Sequence, residues 1–356
     1  MHVPMHVSPL RAASTLALAL SAATLAAPAQ AAPAELYIDA ATHAMPGMPG
    51  MGAMGRLAGA MGGQRPSYGM TRHPGMPGRY LDVALYNRAA PGQPATQAVP
   101  KGLQLGNSIE LLARERGRDE AAGSHDGSGG LGLADGASYR VRYFWGCGEQ
   151  ARSGQPVEYS MTVRNGKPVQ GGRAMAPRQV PAQGPDIGPQ HVLWPNPGAR
   201  RGVSDTASLV GTHRLEGSGL PASLQFALDR GDDFLPRIEL DSTGSPGEGM
   251  ALEWNPVDGA RGYFIHAMAS QGDTIVMWSS SEDGYAGPEL MDYLPEALLA
   301  QWTGKRTVLG ADARSCRIPA EVFAGVEAAP MVQMIAYGGQ RSIAEPRPAD
   351  AGRDWS

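Results

Sequence analysis

Residues 78–87, GRYLDVALYN, set Leu81, Val83 and Leu85 between Tyr80, Asp82, Ala84 and Tyr86. A two-residue period of this kind sends alternate side chains to opposite faces and fits a half-buried strand. YRVRYFWG (139–146) and PVEYSMTV (156–163) read as further strands, the period returns in MALEWNPV (250–257), and GYFIHAMAS (262–270) and TIVMWSSS (274–281) are β-rich runs. The period is looser in LQLGNSIELL (103–112), ASLQFALD (222–229) and LPRIELD (235–241), and strand character resumes in RTVLG, CRIPAEV and APMVQMIAYGG after residue 305. Each run is short, and 48 glycines and 30 prolines punctuate the chain, so much of its length must be turn and loop. One segment changes period. In PELMDYLPEALLAQW (288–302), Leu290, Leu294, Leu298 and Trp302 fall four apart, which predicts an amphipathic helix broken or started at Pro295. The chain is therefore expected to be mainly β, with two β-sandwich-like domains over 79–243 and 249–342. GSPGEG (244–249) is the hinge between them, the second domain carries one inserted helix, and 343–356 is an extended tail.

The first 31 residues read as an export signal: Arg11 is their only charge, Leu16–Ala27 is apolar or small, and Ala29-Gln30-Ala31 offers a cleavage site. That apolar run is shorter than the roughly 20 residues of a membrane span. Residues 32–78 are dominated by Met, Gly, Pro and Ala, the composition of a disordered arm. The formal charge of −4 becomes −5 when Arg11 leaves with the signal. Mild acidity disfavours nucleic acid and anionic membrane surfaces. A periplasmic or secreted location is expected, with no transmembrane segment and with an envelope protein or glycan as partner.

The chain has two cysteines, Cys147 and Cys316. An oxidising compartment permits a bridge between them, and two unrelated buried thiols are the alternative. Glycines on both sides of Cys147 suggest a backbone conformation closed to other residues.

The stretch LEWNPVDGARGYFIHA (252–267) resembles the second and third strands of fibronectin type III and related Ig-like sandwiches. There a Trp closes one strand, an A-x-G-Y turn follows, and the Tyr opens the next strand. Trp254, Ala260, Gly262 and Tyr263 occupy those places. More broadly, YFWGCGE, SGQPVEYS, VMWSSSE, DYLPE and AYGGQ are similar to motifs of an uncharacterised group of exported proteobacterial proteins that carry a Met/Gly-rich segment behind the signal. That resemblance implies a compartment and an architecture, and no activity.

The candidate chemistry begins with HAMPGMPGMGAMG (43–55), where Met45, Met48, Met51 and Met54 recur every three residues beside His43. Thioethers are soft ligands suited to Cu(I). In an extended Pro/Gly-rich chain a three-residue spacing returns successive sulfurs to one side. The same residues also suit a plain flexible tether. Trp254, Tyr263 and Trp278 could form an aromatic binding face, although alternating strand aromatics are more often core. Glu149 and Glu282 flank apolar strands as a possible polar pocket, and DRGDDF (229–234) lacks the alternate-residue ligand spacing of a calcium loop. No G-x-S-x-G, H-E-x-x-H, Walker loop or C-x-x-C occurs. His191, His213 and His266 are isolated from one another in the sequence. Three readings follow, in this order: a non-enzymatic binding or structural protein of the cell envelope, a Cu(I)-binding protein using the Met string, and a hydrolase with dispersed site residues.

Overall fold

The structure, a computed structural model, describes residues 34–44, 65–72, 76–114, 136–165, 167–171, 178–181, 184–221, 224–284 and 286–343. It is mainly β, with three sheets and one short α-helix. The strands are β1 (Ala34–His43), β2 (Gly78–Asn87), β3 (Ala95–Ala98), β4 (Ser108–Ala113), β5 (Ser138–Trp145), β6 (Val157–Arg164), β7 (Lys167–Gly171), β8 (His191–Trp194) and β9 (Gly211–Gly217). They continue as β10 (Gln225–Leu228), β11 (Leu240–Ser245), β12 (Gly249–Trp254), β13 (Gly262–Gln271), β14 (Thr274–Ser279), β15 (Leu309–Gly310), β16 (Ser315–Ile318) and β17 (Met331–Tyr337). The helix is α1 (Glu296–Gly304).

The first sheet runs β1-β2-β8-β4-β3-β9-β10, antiparallel throughout, and curls around a core of Leu81, Val83, Leu85, Leu111, Trp194 and Leu215. The alternation read in β2 holds for Leu81, Val83 and Leu85. The opposite face is covered as well, because Asp82 and Ala84 are also buried. Strand β1 pairs with β2 along its whole length, from Ala34 opposite Asn87 to His43 opposite Gly78. Residues expected in a disordered arm therefore include ten that form a strand. Leu36, Ile38 and Ala40 of β1 pack on the same core, and that burial holds the strand in place. Residues 65–72 also fold back, with Met70 and Thr71 buried.

The second sheet, β11-β12-β16, lies against the third, in which β13 takes β17 on one side and β14 and β15 on the other. Strand β14 pairs in parallel with β5, the one parallel pairing among the described residues, and β6 and β7 continue that sheet. Between the second and third sheets lie Leu252, Trp254, Tyr263, Ile265, Val276, Trp278 and Phe323, the heart of the largest apolar cluster. On the other side of β13, Phe264 meets Leu299 and Trp302 of α1, together with Leu290, Leu294 and Tyr337.

Several expectations shift by physical causes that can be named. The loose period at 103–112 resolves into a 3-10 turn (Lys101–Leu103) and β4, because Gln104 and Gly106 adopt positive φ between them. GSPGEG is the turn of the β11–β12 hairpin, where Gly244 and Gly249 have φ of 91° and 88°. The 288–302 helix divides at Pro295 into a 3-10 turn (Pro288–Leu290) and α1, as a residue without an N–H at the first helical turn requires. Strands β8 and β9 arise in stretches without a clear period.

Cys147 and Cys316 form a disulfide across 169 residues, with their Cα atoms 5.2 Å apart. The bridge ties the turn after β5 to β16. Gly146 sits at φ 93°, and a Cβ there would strike the Arg152 side chain at 2.5 Å, which accounts for the glycine before Cys147.

Candidate functional site

The residues singled out as aromatic or histidine candidates are in separate places. Trp254 and Tyr263 meet at a tilt, ring centroids 5.6 Å apart, inside the core, and Trp278 is fully buried with its indole N–H donating to Gly146 O. They form no binding face. His191 meets the Tyr86 ring at a tilt, His213 stacks on Phe226, and His213 also bonds Gln97 and Leu209 O. His266 lies fully buried on β13 with neither ring nitrogen hydrogen-bonded among the described residues. Glu149 pairs with Arg317 at 2.7 Å and Glu282 with Arg152, so the two carboxylates serve separate ion pairs. Asp229 caps the 3-10 turn Arg230–Asp232, and Asp233 accepts from Ser208 and Leu209 N. DRGDDF is thus a capped turn. No group of three or more His, Cys, Asp or Glu is placed to hold a metal ion among the described residues. Met45, Met48, Met51 and Met54 lie outside those residues. His43, at the end of β1, donates from Nε2 to Thr71 O at 2.7 Å.

Among the described residues, two concavities are candidates. One is an open cleft of about 500 Å³ lined by Arg152, Glu282, Asp283, Lys305 and Arg306. Its acidic groups are already engaged, Glu282 by Arg152 and Asp283 by Arg178 and Thr307. The other is a smaller recess of about 170 Å³ between β1, β2, the 65–72 turn and the loop at 184–187. Its walls are Asp39, Tyr68, Thr71, Arg72, Asp82, Pro185 and Ile187.

The recess is built by strand register. Asp39 of β1 stands directly opposite Asp82 of β2, so both carboxyls share one face about 5 Å apart at Cβ. The Thr71 N–H (3.1 Å) and hydroxyl both donate to Oδ2 of Asp82. Its Oδ1 is buried with no hydrogen-bond partner among the described residues, although Asp82 as a whole is only 2% exposed. Arg72 reaches Asp292 at 3.1 Å and Asp39 at 4.0 Å, and its guanidinium lies 5.0 Å above the Tyr293 ring. The Tyr293 hydroxyl is likewise buried, next to Thr71.

Comparison with protein families, characterised proteins and solved structures finds no match for this chain. The reading of the site therefore rests on its chemistry. Burial pushes the Asp82 carboxyl up to about 6 against hydrogen bonds from Thr71 and from the Gly69 N–H, and the nearby Asp39 charge adds a smaller upward push. Burial also raises Asp39, opposed by Arg72 and reinforced by Asp292. The Tyr68 phenol is raised by burial and then by the charges of Asp39 and Asp82. An acid this desolvated at the wall of a recess, facing a second carboxyl across the strand pair, marks a candidate site better than the separate histidines among the described residues. Sequence reading found Asp82 only as the polar side of a strand. Asp39, Tyr68 and Arg72 lay in the Met/Gly-rich stretch, where composition hid them. The usable signal was AELYIDAATH itself, in which Leu36, Ile38 and Ala40 alternate with Tyr37, Asp39 and Ala41.

Proposed function

We propose that this chain is an exported β protein of the cell envelope that binds a small polar molecule without transforming it, in the recess between Asp39, Asp82, Tyr68 and Arg72. The buried Asp82 carboxyl, set opposite Asp39 at the recess wall with Oδ1 unpartnered among the described residues, carries this reading. A carboxylate oxygen withdrawn from water costs a few kcal/mol unless something bonds to it, and a ligand is the simplest source of that bond. The surrounding β sheets hold the walls at fixed separation, as a binding scaffold requires.

The proposal extends to architecture. The second and third sheets read as a fibronectin-like sandwich. In support, β12 and β13 are joined by the turn after Trp254 yet enter different sheets, with β11 and β16 flanking β12 and β14 and β17 flanking β13. Strands β5–β7 then extend that sandwich at the β14 edge.

Thermal denaturation of the full-length protein against a panel of small cations, anions and neutral polyols at millimolar concentration tests the binding reading. At least one class raises Tm, and Asp39→Asn abolishes the rise. A panel that leaves Tm unchanged would overturn it. A second reading, hydrolysis by the Asp39–Asp82 pair, is favoured by their cross-strand position and by the raised pKa of one partner. Turnover of chromogenic esters or glycosides that disappears in Asp39→Asn would support it, and no turnover above the variant would remove it.

A further inference from the structure

The open cleft of about 500 Å³ holds more positive charge than its own pairing uses. All five lining residues are charged: Arg152, Lys305 and Arg306 against Glu282 and Asp283. Both carboxylates are engaged. Arg152 pairs with Glu282, and Asp283 accepts from Arg178 at 2.9 Å and from the Thr307 hydroxyl at 3.2 Å. The side chains of Lys305 and Arg306 make no hydrogen bond or ion pair among the described residues. Two uncompensated cations thus share one concavity in a chain whose net charge is −4.

The fold sets these cations in place. At the end of α1, the Thr307 N–H donates to Trp302 O and the Arg306 N–H to Thr303 O, the paired bonds of a Schellman motif. Arg306 takes the left-handed position of that motif, at φ 57°, where glycine is the common residue and a Cβ strains the backbone. Lys305, just before it in the ordinary right-handed region, already brings a cation to the negative end of the helix. The helix therefore gives no reason for an arginine at the strained position, whereas the cleft does. The Arg306 carbonyl accepts the Glu282 N–H at 2.8 Å, which seats residues 282–283 against the helix end. Arg152 donates to Cys147 O at 3.4 Å, beside the disulfide, and lies close over Gly146.

We propose that this cleft is a second binding site, for a small phosphorylated sugar or polyol. A phosphoryl group carries nearly two negative charges at neutral pH and three acceptor oxygens. It matches the two uncompensated cations, Arg306 as a planar fork of donors and Lys305 as a point charge. The volume lies within the range of small-molecule sites, about 300–1,000 Å³, and is many times the roughly 30 Å³ of one water. A bare anion leaves most of it empty. No lining side chain is apolar, so the rest of the ligand must form hydrogen bonds, and hydroxyl groups can donate to Glu282 and Asp283. A metal cation would face the unpaired Lys305 and Arg306, and an apolar ligand would strip water from five charges. The cleft shares no lining residue with the Asp39–Asp82 recess, so the two readings stand or fall separately.

Isothermal titration of the full-length protein with glucose 6-phosphate, inorganic phosphate, gluconate and glucose tests the proposal. Glucose 6-phosphate binds about tenfold or more tightly than inorganic phosphate or the singly charged gluconate, and glucose gives no binding heat. Arg306→Gly puts the favoured residue at the left-handed position, so Tm holds or rises while the affinity for glucose 6-phosphate falls about tenfold. A purely structural arginine would show the reverse, a lower Tm with affinity intact, and that result overturns the proposal. Lys305→Ala weakens binding to a similar degree at unchanged Tm. Binding of inorganic phosphate or gluconate as tight as that of glucose 6-phosphate, or no binding by any of the four, would equally overturn it.

Discussion

Two regions of this protein each bury one ionisable side chain without a full set of partners, and they do so with opposite sign. Around β1 and β2 the group is an acid, Asp82, pushed up to about 6 by burial and then by neighbouring charge. On β13, inside the disulfide-tied sheets, it is a base, His266, pulled down to about 4 by burial. The difference lies in what surrounds them. Asp82 borders a recess with Asp39, Tyr68 and Arg72, whereas His266 is walled in by strand neighbours, opposite Ser279 on β14 and Gln333 on β17. A strained polar group beside a cavity points to a ligand, and one sealed in a core points only to a tolerated cost.

The largest test of this contrast concerns the tie itself. Replacing both cysteines, Cys147→Ser with Cys316→Ser, is expected to lower stability by about 3–5 kcal/mol, since the bridge closes a loop of about 170 residues. Denaturant unfolding followed by tryptophan fluorescence measures it, and a loss below about 1 kcal/mol would mean that the packed aromatic core alone holds the two sheets.

Acid separates the two buried groups next. Asp82 is raised from 3.8, so its stabilising contribution is complete below that pH and is lost as pH rises through about 6. His266 is lowered from 6.5, so its contribution is complete above that value and is lost as pH falls toward about 4. Each amounts to about 3 kcal/mol, and in the unaltered protein the two slopes largely cancel between about pH 4 and 6. Asp82→Asn should therefore become less stable on acidification through that window, and His266→Phe more stable. Parallel slopes in the two variants would show that these groups do not carry the pH response.

The smallest expected effect probes the contact between the β5–β14 pair and the segment before α1. The Tyr143 hydroxyl meets Ser279 Oγ and Ala286 O, both at 2.7 Å, and accepts from Ala286 N at 3.1 Å. Tyr143→Phe leaves those groups buried and unbonded, for a loss of about 1–3 kcal/mol. Circular dichroism melting would read this as a drop of a few degrees, and no change would place water at the site.

The strands around the packed core were the most legible part of the chain, because β2, β5, β6 and β12 alternate long enough to show a period, and β13 and β14 are apolar, β-rich runs of six or more residues. Strand β8 was not legible: all four of its residues, HVLW, are buried, so it has no polar phase to read, and prolines flank it. Strand β1 had a period, but the surrounding Met, Gly and Pro outweighed it. The recess was illegible for a different reason. Asp39 and Asp82 are 43 positions apart in the chain, and only the β1–β2 register sets them face to face. Spacing in the sequence carries no trace of a register, and Tyr68 and Arg72 join them through a turn that composition alone suggested would not fold.

The parallel pairing of β14 with β5 has a temporal consequence. Strand β5 ends at Trp145 and β14 begins at Thr274, so one edge of β5 waits through about 130 residues of synthesis, roughly ten seconds at typical rates. During that interval β5, β6 and β7 form an incomplete ribbon with an open, aromatic-rich edge, and the second cysteine of the bridge does not yet exist. Completion depends on the last third of the chain. A ribosome that stalls before Thr274 leaves a sticky fragment behind.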